Sequence, residues 1–349
     1  MKRYKILVTG SSGFIAGYLV QKLLNEGHIV VGVDNYSKYG KIIKSYDKNK
    51  NYEFVKGDAK NTVLLRRLLK ECDFLVAGAA RIGGIGYFHQ YAYDLLAENE
   101  RITASTFDAA IDAFKTGKLK KIIVISSSMV YESTDIYPTP ESAVNVSPPP
   151  RSTYGFQKLS CEYFAKGAYE QYGLPYTIVR PFNCVGIGES LFNNEENGLP
   201  SGRQVISGNV KMALSHVVPD LVYKILKGQD PLRILGNGKQ IRCYTYGGDI
   251  AEAIVRAIFS HKAENVDFNI STSKSTSVLE LAELIWKKIN GNKKFRYVSD
   301  KPFKNDVQKR IPDVKKAKRI LGFEAKTTLD EMLDEVIIWI RKQIKDIKI

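Results

Sequence analysis

Tyr154 and Lys158 stand four apart in Ser152-Thr153-Tyr154-Gly155-Phe156-Gln157-Lys158, a spacing that puts both on one face of a helix. A phenol ionises near pH ~10 and is a poor base at neutral pH. An ammonium one turn away stabilises the phenolate, so such a pair can accept and return a proton. Upstream, Ser126-Ser127-Ser128-Met129-Val130-Tyr131 follows the apolar run Ile122-Ile123-Val124-Ile125 and offers hydroxyls at a strand end. A hydroxyl there can bind a substrate hydroxyl and relay its proton to Tyr154. Both signals have plain alternatives. Tyr-x-x-x-Lys arises by chance in a chain with 20 tyrosines, and serines also cap turns. Their order along the chain favours chemistry.

A third signal precedes them. In Thr9-Gly10-Ser11-Ser12-Gly13-Phe14-Ile15-Ala16-Gly17, Gly10 permits a tight turn and Gly13 a close backbone approach to a pyrophosphate. The small Ala16 lets helix pack on strand, and the helix N-terminus faces the anion. Asp34 ends the next strand, where an acid binds both ribose hydroxyls and repels a 2′-phosphate, so NAD is expected rather than NADP. Asp58, in Gly57-Asp58-Ala59, is placed to contact the adenine.

The elements that must position these residues alternate. Strands are expected at Lys5–Val8, His28–Asp34, Tyr52–Lys56, Asp73–Ala77, Lys121–Ser126 and Tyr176–Arg180. Helices are expected at Gly13–Asn25, Asp94 to about Phe114, and Tyr154–Gln171, the last ended by Gly173. Pro148-Pro149-Pro150 fixes an extended approach to the Tyr154 helix. This alternation predicts an α/β protein whose parallel sheet is covered on both faces. After Arg180 the texture changes. Gly186–Gly208 reads as loop, then come a helix at Leu214–Lys227, a strand at Leu232–Leu235 and a helix over 249–259. Val266–Ile270 reads as a strand rejoining the sheet, and Val278–Lys288 and Leu329–Ile344 as C-terminal helices.

Composition limits the remaining classes. No apolar run approaches the roughly 18 residues of a membrane span, and Gly10 to Gly13 interrupt the basic, apolar N-terminus too early for a signal peptide. Cys72, Cys161, Cys184 and Cys243 lack Cys-x-x-Cys spacing and the four histidines lack ligand spacing, which argues against disulfides and metal and for a cytoplasmic protein. The net charge of +15 invites nucleic acid, but the lysines are dispersed among acids and apolar residues, as on a solvated surface.

Taken together, the residues resemble the extended short-chain dehydrogenase/reductase family, in particular its NAD-dependent nucleotide-sugar epimerases and dehydratases. The motifs run the whole chain: the glycine turn, Asp34, Asp58, Asn99 with Thr103, the serine run, Tyr154/Lys158, and Arg180-Pro181-Phe182-Asn183. Gly236-Asn237-Gly238, Arg242-Cys243-Tyr244, Asp249, and Arg310-Ile311-Pro312-Asp313 continue them. The resemblance implies a Rossmann doubly wound parallel sheet with a smaller C-terminal substrate-binding lobe. Residues 1–183, with 244–273 returning, are expected to bind NAD, and 184–243 with 274–349 to bind a nucleotide-diphosphate sugar. It further implies that Ser127, Tyr154 and Lys158 are catalytic, with Lys158 also holding the nicotinamide ribose. Gly10, Gly13, Phe14, Ile15, Asp34, Asn35, Asp58, Ala59, Ala79, Ala80 and Asn99 are expected around the cofactor. Gly84, Ser128, Asn183, His216, Arg242 and Arg310 are expected around the substrate, the arginines on its diphosphate. Relatives form homodimers through a four-helix bundle, here the Asp94–Phe114 and Tyr154–Gln171 helices, with Phe107, Ala110, Ile111 and Phe114 fitting that face.

Departures narrow the reaction. Related 4,6-dehydratases carry Asp-Glu where this chain has Ser128-Met129, neither of which can act as a general acid. GDP-mannose 3,5-epimerase is similar around Ala79–Gly86 but has cysteine at the position of Met129, and a thioether cannot exchange a proton at carbon. What remains needs one acid/base and hydride transfer. Tyr154 takes the proton of a sugar 4-hydroxyl as hydride passes to NAD, the 4-keto sugar turns over, and hydride returns to its other face. That is C4 epimerisation, with an oxidase or 4-keto reductase as the alternative and a non-catalytic NAD-binding protein as the remote one. His216, where UDP-galactose 4-epimerases have asparagine, and the Gly83–Gly86 loop leave base and sugar open.

Overall fold

Ile6, Leu7 and Val8 are consecutive and fully buried in β1, so the sheet that contains them is covered on both faces. The computed structural model describes residues 2–83, 91–188, 216–302 and 307–346. Strands β1 (Lys5–Thr9), β2 (Ile29–Asp34), β3 (Tyr52–Lys56), β4 (Phe74–Ala77), β5 (Lys121–Ile125) and β6 (Tyr176–Pro181) come first. Three short strands and a longer one follow: β7 (Cys184–Val185), β8 (Leu232–Leu235), β9 (Ile241–Arg242) and β10 (Thr245–Tyr246). The last are β11 (Val266–Ile270), β12 (Thr276–Ser277) and β13 (Tyr297–Asp300).

Seven strands form one parallel sheet in the order β11-β6-β5-β4-β1-β2-β3. The order reverses between β1 and β4, and a crevice opens there beyond the strands' carboxyl ends. This is a Rossmann-like α/β fold. One face is covered by α1 (Phe14–Asn25), through Leu19, Val20 and Leu23. The other is covered by α2 (Thr62–Leu69), α3 (Ala92–Lys115) and α4 (Thr153–Tyr172), through Leu65, Leu69, Phe107, Ala110, Cys161 and Ala165. Burying a Leu or Phe of this kind contributes roughly 1.5–3 kcal/mol. α4 stops where Gly173 adopts φ 72°, a left-handed conformation that glycine enters without a Cβ clash.

The C-terminal part contributes α5 (Val217–Leu226), α6 (Gly247–Phe259), α7 (Val278–Asn290), α8 (Lys315–Leu321) and α9 (Leu329–Asp346). α6 and α8 return to the α1 face of the sheet, with Ile250, Ile254 and Leu321 in its core. α5, α7 and α9 instead enclose a separate core of Val222, Leu232, Ile285, Trp286, Val336 and Ile340, beside the parallel pair β8–β13.

The structure differs from the sequence reading in several places. α2, α8 and β13 were not expected, and α5 begins at Val217, with residues 214–215 outside the described set. Most of the Gly186–Gly208 loop, from 189 onward, also lies outside it. Phe107 and Ala110 do not present an outer face: both are buried in the chain's own core, with Ile111 and Phe114 packed against it. The outward surface of α4 carries Phe156, Tyr163, Phe164 and Tyr169 instead. No helix among the described residues is long and apolar enough to cross a membrane.

Candidate active site

Where β1 meets α1 the backbone turns at Gly10, with φ 72°, and its N–H donates to Val33 O at 2.8 Å. A Cβ at Gly10 would lie 2.8 Å from Ala79 Cα, so the crossing with the β4 loop requires glycine. Thr9 Oγ1 accepts from Gly78 N and Ala79 N, both at 3.2 Å, and ties the two strand ends together. Gly13 caps α1, whose first residues, Phe14 and Ile15, line the crevice with Ala79 and Ala80. A helix N-terminus reached through so tight a turn suits a pyrophosphate.

Asp34 ends β2. Its Oδ2 accepts from Ser12 N at 3.1 Å and its Oδ1 from Tyr36 N at 2.7 Å, which fixes the carboxylate at the mouth of the glycine turn. Burial pushes its pKa up, while the two N–H groups and the Lys44 ammonium pull the other way. Asp58 is oriented by Lys60 N at 2.8 Å and Asn35 Nδ2 at 3.2 Å, and Ala59 lies beside it on the wall. Asn99 has a different place from the one expected. It is fully buried behind the wall, accepting from Arg81 N at 2.6 Å and donating to Arg81 O at 2.9 Å. Glu98 and Ile102, on the same helix, line the crevice in its stead.

β5 and α4 set the reacting end. Lys158 donates to Ile125 O at 2.8 Å, which holds its ammonium against the end of β5. Tyr154 and Lys158 are 5% and 7% exposed, and both line the crevice with Ser127 and Ser128. Ser127 Oγ accepts from Met129 N at 3.1 Å, so this serine also caps the short 3₁₀ turn Ser128–Tyr131. Capping the turn therefore does not remove Ser127 from the crevice wall. Beneath it, Ser126 Oγ donates to Glu162 Oε1 at 2.6 Å, and the same carboxylate takes Arg180 Nε at 2.8 Å and Nη2 at 2.6 Å. Arg180 and Glu162 are wholly buried, and Arg180 also pairs with Asp267 at 2.8 Å. Glu162 lies one turn beyond Lys158, so this network fixes the Tyr154 and Lys158 face of α4 against β5 and β6.

The remaining wall comes from the C-terminal part. Asn183 lines the crevice and adopts φ 33°, and its Oδ1 is buried with no hydrogen-bond partner among the described residues. Arg242 and Arg310 are brought together because Arg310 N donates to Ile241 O at 3.0 Å, beside a bridge between Ile241 and Lys309. Arg242 is 8% exposed and donates to Ile241 O at 2.9 Å, yet it remains on the cavity wall. His216 stands exposed at the N-terminus of α5, on the same wall, while Gly84 lies outside the described residues.

One continuous cavity of about 790 Å³ joins these parts, from the glycine turn past Tyr154 to Arg310. Its wall includes residues that sequence reasoning passed over: Arg81, Glu132, Ser152, Asp220, Lys224, Arg233 and Asp300. Only Glu132 and Ser152 had a signal, their closeness to the serine run and to Tyr154. The others reach the wall through tertiary packing.

The sequence profile of the NAD dependent epimerase/dehydratase family matches residues 6–271. UDP-glucuronic acid decarboxylase 1 of Xenopus tropicalis is 25% identical over 98% of this chain and 73% of its own length. Among solved structures, the UDP-glucose 4-epimerase of Thermotoga maritima, bound to UDP-glucose, superposes with TM-score 0.79 at 29% identity, covering 97% of this chain and 99% of that one. The UDP-glucuronic acid 4-epimerase of Bacillus cereus, bound to UDP-glucuronic acid and NAD, does so with TM-score 0.79 at 25% identity and the same coverage. This chain belongs to the NAD dependent epimerase/dehydratase family, and its cofactor is NAD.

Proposed function

We propose that the protein inverts C4 of a nucleotide-diphosphate hexose through a transient 4-keto sugar. The observation that carries this reading is the placing of Tyr154, Lys158 and Ser127 on one wall, between the glycine turn with Asp34 and the Asn183, Arg242 and Arg310 end. NAD held along the glycine turn and Asp34 would supply hydride transfer from the sugar carbon and back to it, so no net oxidation would result. Tyr154 removes the proton of the 4-hydroxyl and later returns it, with Ser127 hydrogen-bonding the same oxygen. Lys158, held by Ile125 O, supplies the positive charge that a phenolate needs. Arg242 and Arg310 grip the diphosphate, with Asn183 on the same wall. Met129, buried at the wall, carries no proton, so the position cannot serve a proton exchange at a second carbon.

The similarity to a uronate decarboxylase supports a second reading, since a ketone at C4 is also what lets a C6 carboxylate leave. An oxidase or 4-keto reductase would use the same residues. The test is a panel of UDP-, GDP- and dTDP-sugars followed by NMR and mass spectrometry. Two sugars interconverting with no added reductant is the expected result. NADH accumulating, or carbon dioxide released, overturns it. A homodimer joined through the exposed Phe156, Tyr163 and Tyr169 surface of α4, in the cytoplasm, completes the proposal.

A further inference from the structure

The cavity wall carries six carboxylates among the described residues: Asp34, Asp58, Glu98, Glu132, Asp220 and Asp300. Four have cationic partners. Asp58 lies 3.8 Å from Lys60, Glu98 2.6 Å from Lys60, and Asp220 2.8 Å from Lys224, and Asp300 pairs with Arg233. Asp34, at the nucleotide end, is fixed by two backbone N–H groups and feels the Lys44 charge. Glu132 alone has no cation beside it among the described residues. Its Oε2 accepts from Ser152 N at 2.8 Å and Ser152 Oγ at 2.7 Å, and Oε1 has no hydrogen bond among those residues.

Its place in the fold gives this charge a target. Glu132 directly follows the 3₁₀ turn Ser128–Tyr131, and Ser152 is the N-cap of α4, two residues before Tyr154. The carboxylate is therefore built into the wall at the reacting end, on the same side as Ser127, Ser128 and Met129. The proposed mechanism gives it no task, and Gly155 packs against it so closely that a Cβ there would meet Glu132 Oε2 at 3.0 Å. A carboxylate with no ion-pair partner in a partly buried wall repels a second carboxylate and accepts hydrogen bonds from hydroxyl or amino groups.

We infer that Glu132 determines the sugar: it excludes hexuronates, whose C6 is a carboxylate, and admits hexoses whose C6 is a hydroxymethyl or whose substituents are amines or amides. This inference rests on the nucleotide-sugar reading of the site but not on the fate of C4. Substrate discrimination here works by a repulsive element as much as by fit.

The test compares UDP-glucose with UDP-glucuronate, and GDP-mannose with GDP-mannuronate, on the NAD-loaded protein and its Glu132→Gln variant. Glutamine keeps an acceptor for Ser152 and the same volume while removing the charge. For the base that binds, Kd by calorimetry should favour the neutral sugar by about tenfold or more in the natural protein. In the variant that ratio should shrink by about tenfold, and kcat/KM should follow wherever turnover is seen. A second measurement needs no variant: raising salt should narrow the Kd ratio of the natural protein. Equal affinity for both sugars, no binding by any of the four, or a ratio unmoved by Glu132→Gln and by salt, overturns the inference. Because the readout is a binding ratio, a protein that binds neutral sugars but fails to epimerise them refutes the C4 proposal while leaving this one standing.

Discussion

Tyr154 and Lys158 stand one turn apart on α4. Lys158 is held by a backbone carbonyl at the end of β5, and Tyr154 is the second residue of the helix. Replacing Tyr154 with phenylalanine removes one oxygen from a wall otherwise unchanged, so the loss should fall on the proton-transfer step. Turnover should drop by about 10²–10⁴-fold, while the Kd for the nucleotide sugar stays within a few-fold. Steady-state kinetics with calorimetry checks both halves. Retained turnover would remove Tyr154 from its role. At this scale much of the site was legible, because Tyr154, Ser127, Arg242 and Arg310 sit in short runs whose spacing is itself the signal. Glu132 had only its closeness to the serine run as a signal, and Asn99 was expected at the cofactor but lies behind the wall. An isolated acid resembles any turn residue, and a buried asparagine reads alike whether it meets a ligand or, as here, the backbone of Arg81.

Among the elements, the turn between β1 and α1 is the least forgiving. Gly10 combines a positive φ with an approach of 2.8 Å between its would-be Cβ and Ala79 Cα. A Gly10→Ala variant must either move the β4 loop or unwind the first turn of α1, and both line the NAD site. NAD affinity should fall by at least about tenfold, read by fluorescence titration, with thermal stability lowered by a few degrees. Unchanged NAD binding would show that the close crossing does not shape the site. The alternating strands and helices of the sheet were readable because each has an apolar run of the right length. α2 escaped notice although Asn61 caps it and Leu65 and Leu69 are buried, since two turns of helix carry too little periodicity. β13 escaped because its partner β8 lies across α7, and parallel pairing of short, half-exposed strands leaves no local pattern.

At the scale of the molecule, one buried charge makes stability depend on pH. Lys121, 2% exposed, sits at the start of β5 and donates to Ala257 O at 2.8 Å and Ser260 O at 3.0 Å, at the C-terminal end of α6. Burial pushes its pKa down to about 8, against a smaller upward pull from Glu264. Between about pH 8 and 10.5 the unfolded chain binds the proton more tightly than the folded one, so stability rises with pH across that window. The gain attributable to Lys121 should be at most about 3 kcal/mol. It should appear as a widening difference between the natural protein and Lys121→Met in urea denaturation from pH 8 to 10.5, with any common tyrosine contribution cancelling. A flat difference would mean that the ammonium is not penalised by burial.

Lys121 also marks how late the sheet is completed. β5 is tied to α6, and β6 receives its outer neighbour β11, only after the chain has built β7 to β10 beside the C-terminal core. A ribosome that has delivered every residue before Gly247 has made six strands of the sheet, the glycine turn, Tyr154 and Arg242, yet none of α6. Leu19, Val20 and Leu23 on α1 then have no Ile250 or Ile254 to cover them, and Arg180 has Glu162 but not Asp267. The nascent protein thus carries Tyr154, Lys158 and Arg242 on a half-clothed sheet, whose exposed apolar face invites association with its neighbours until α6 emerges to cover it.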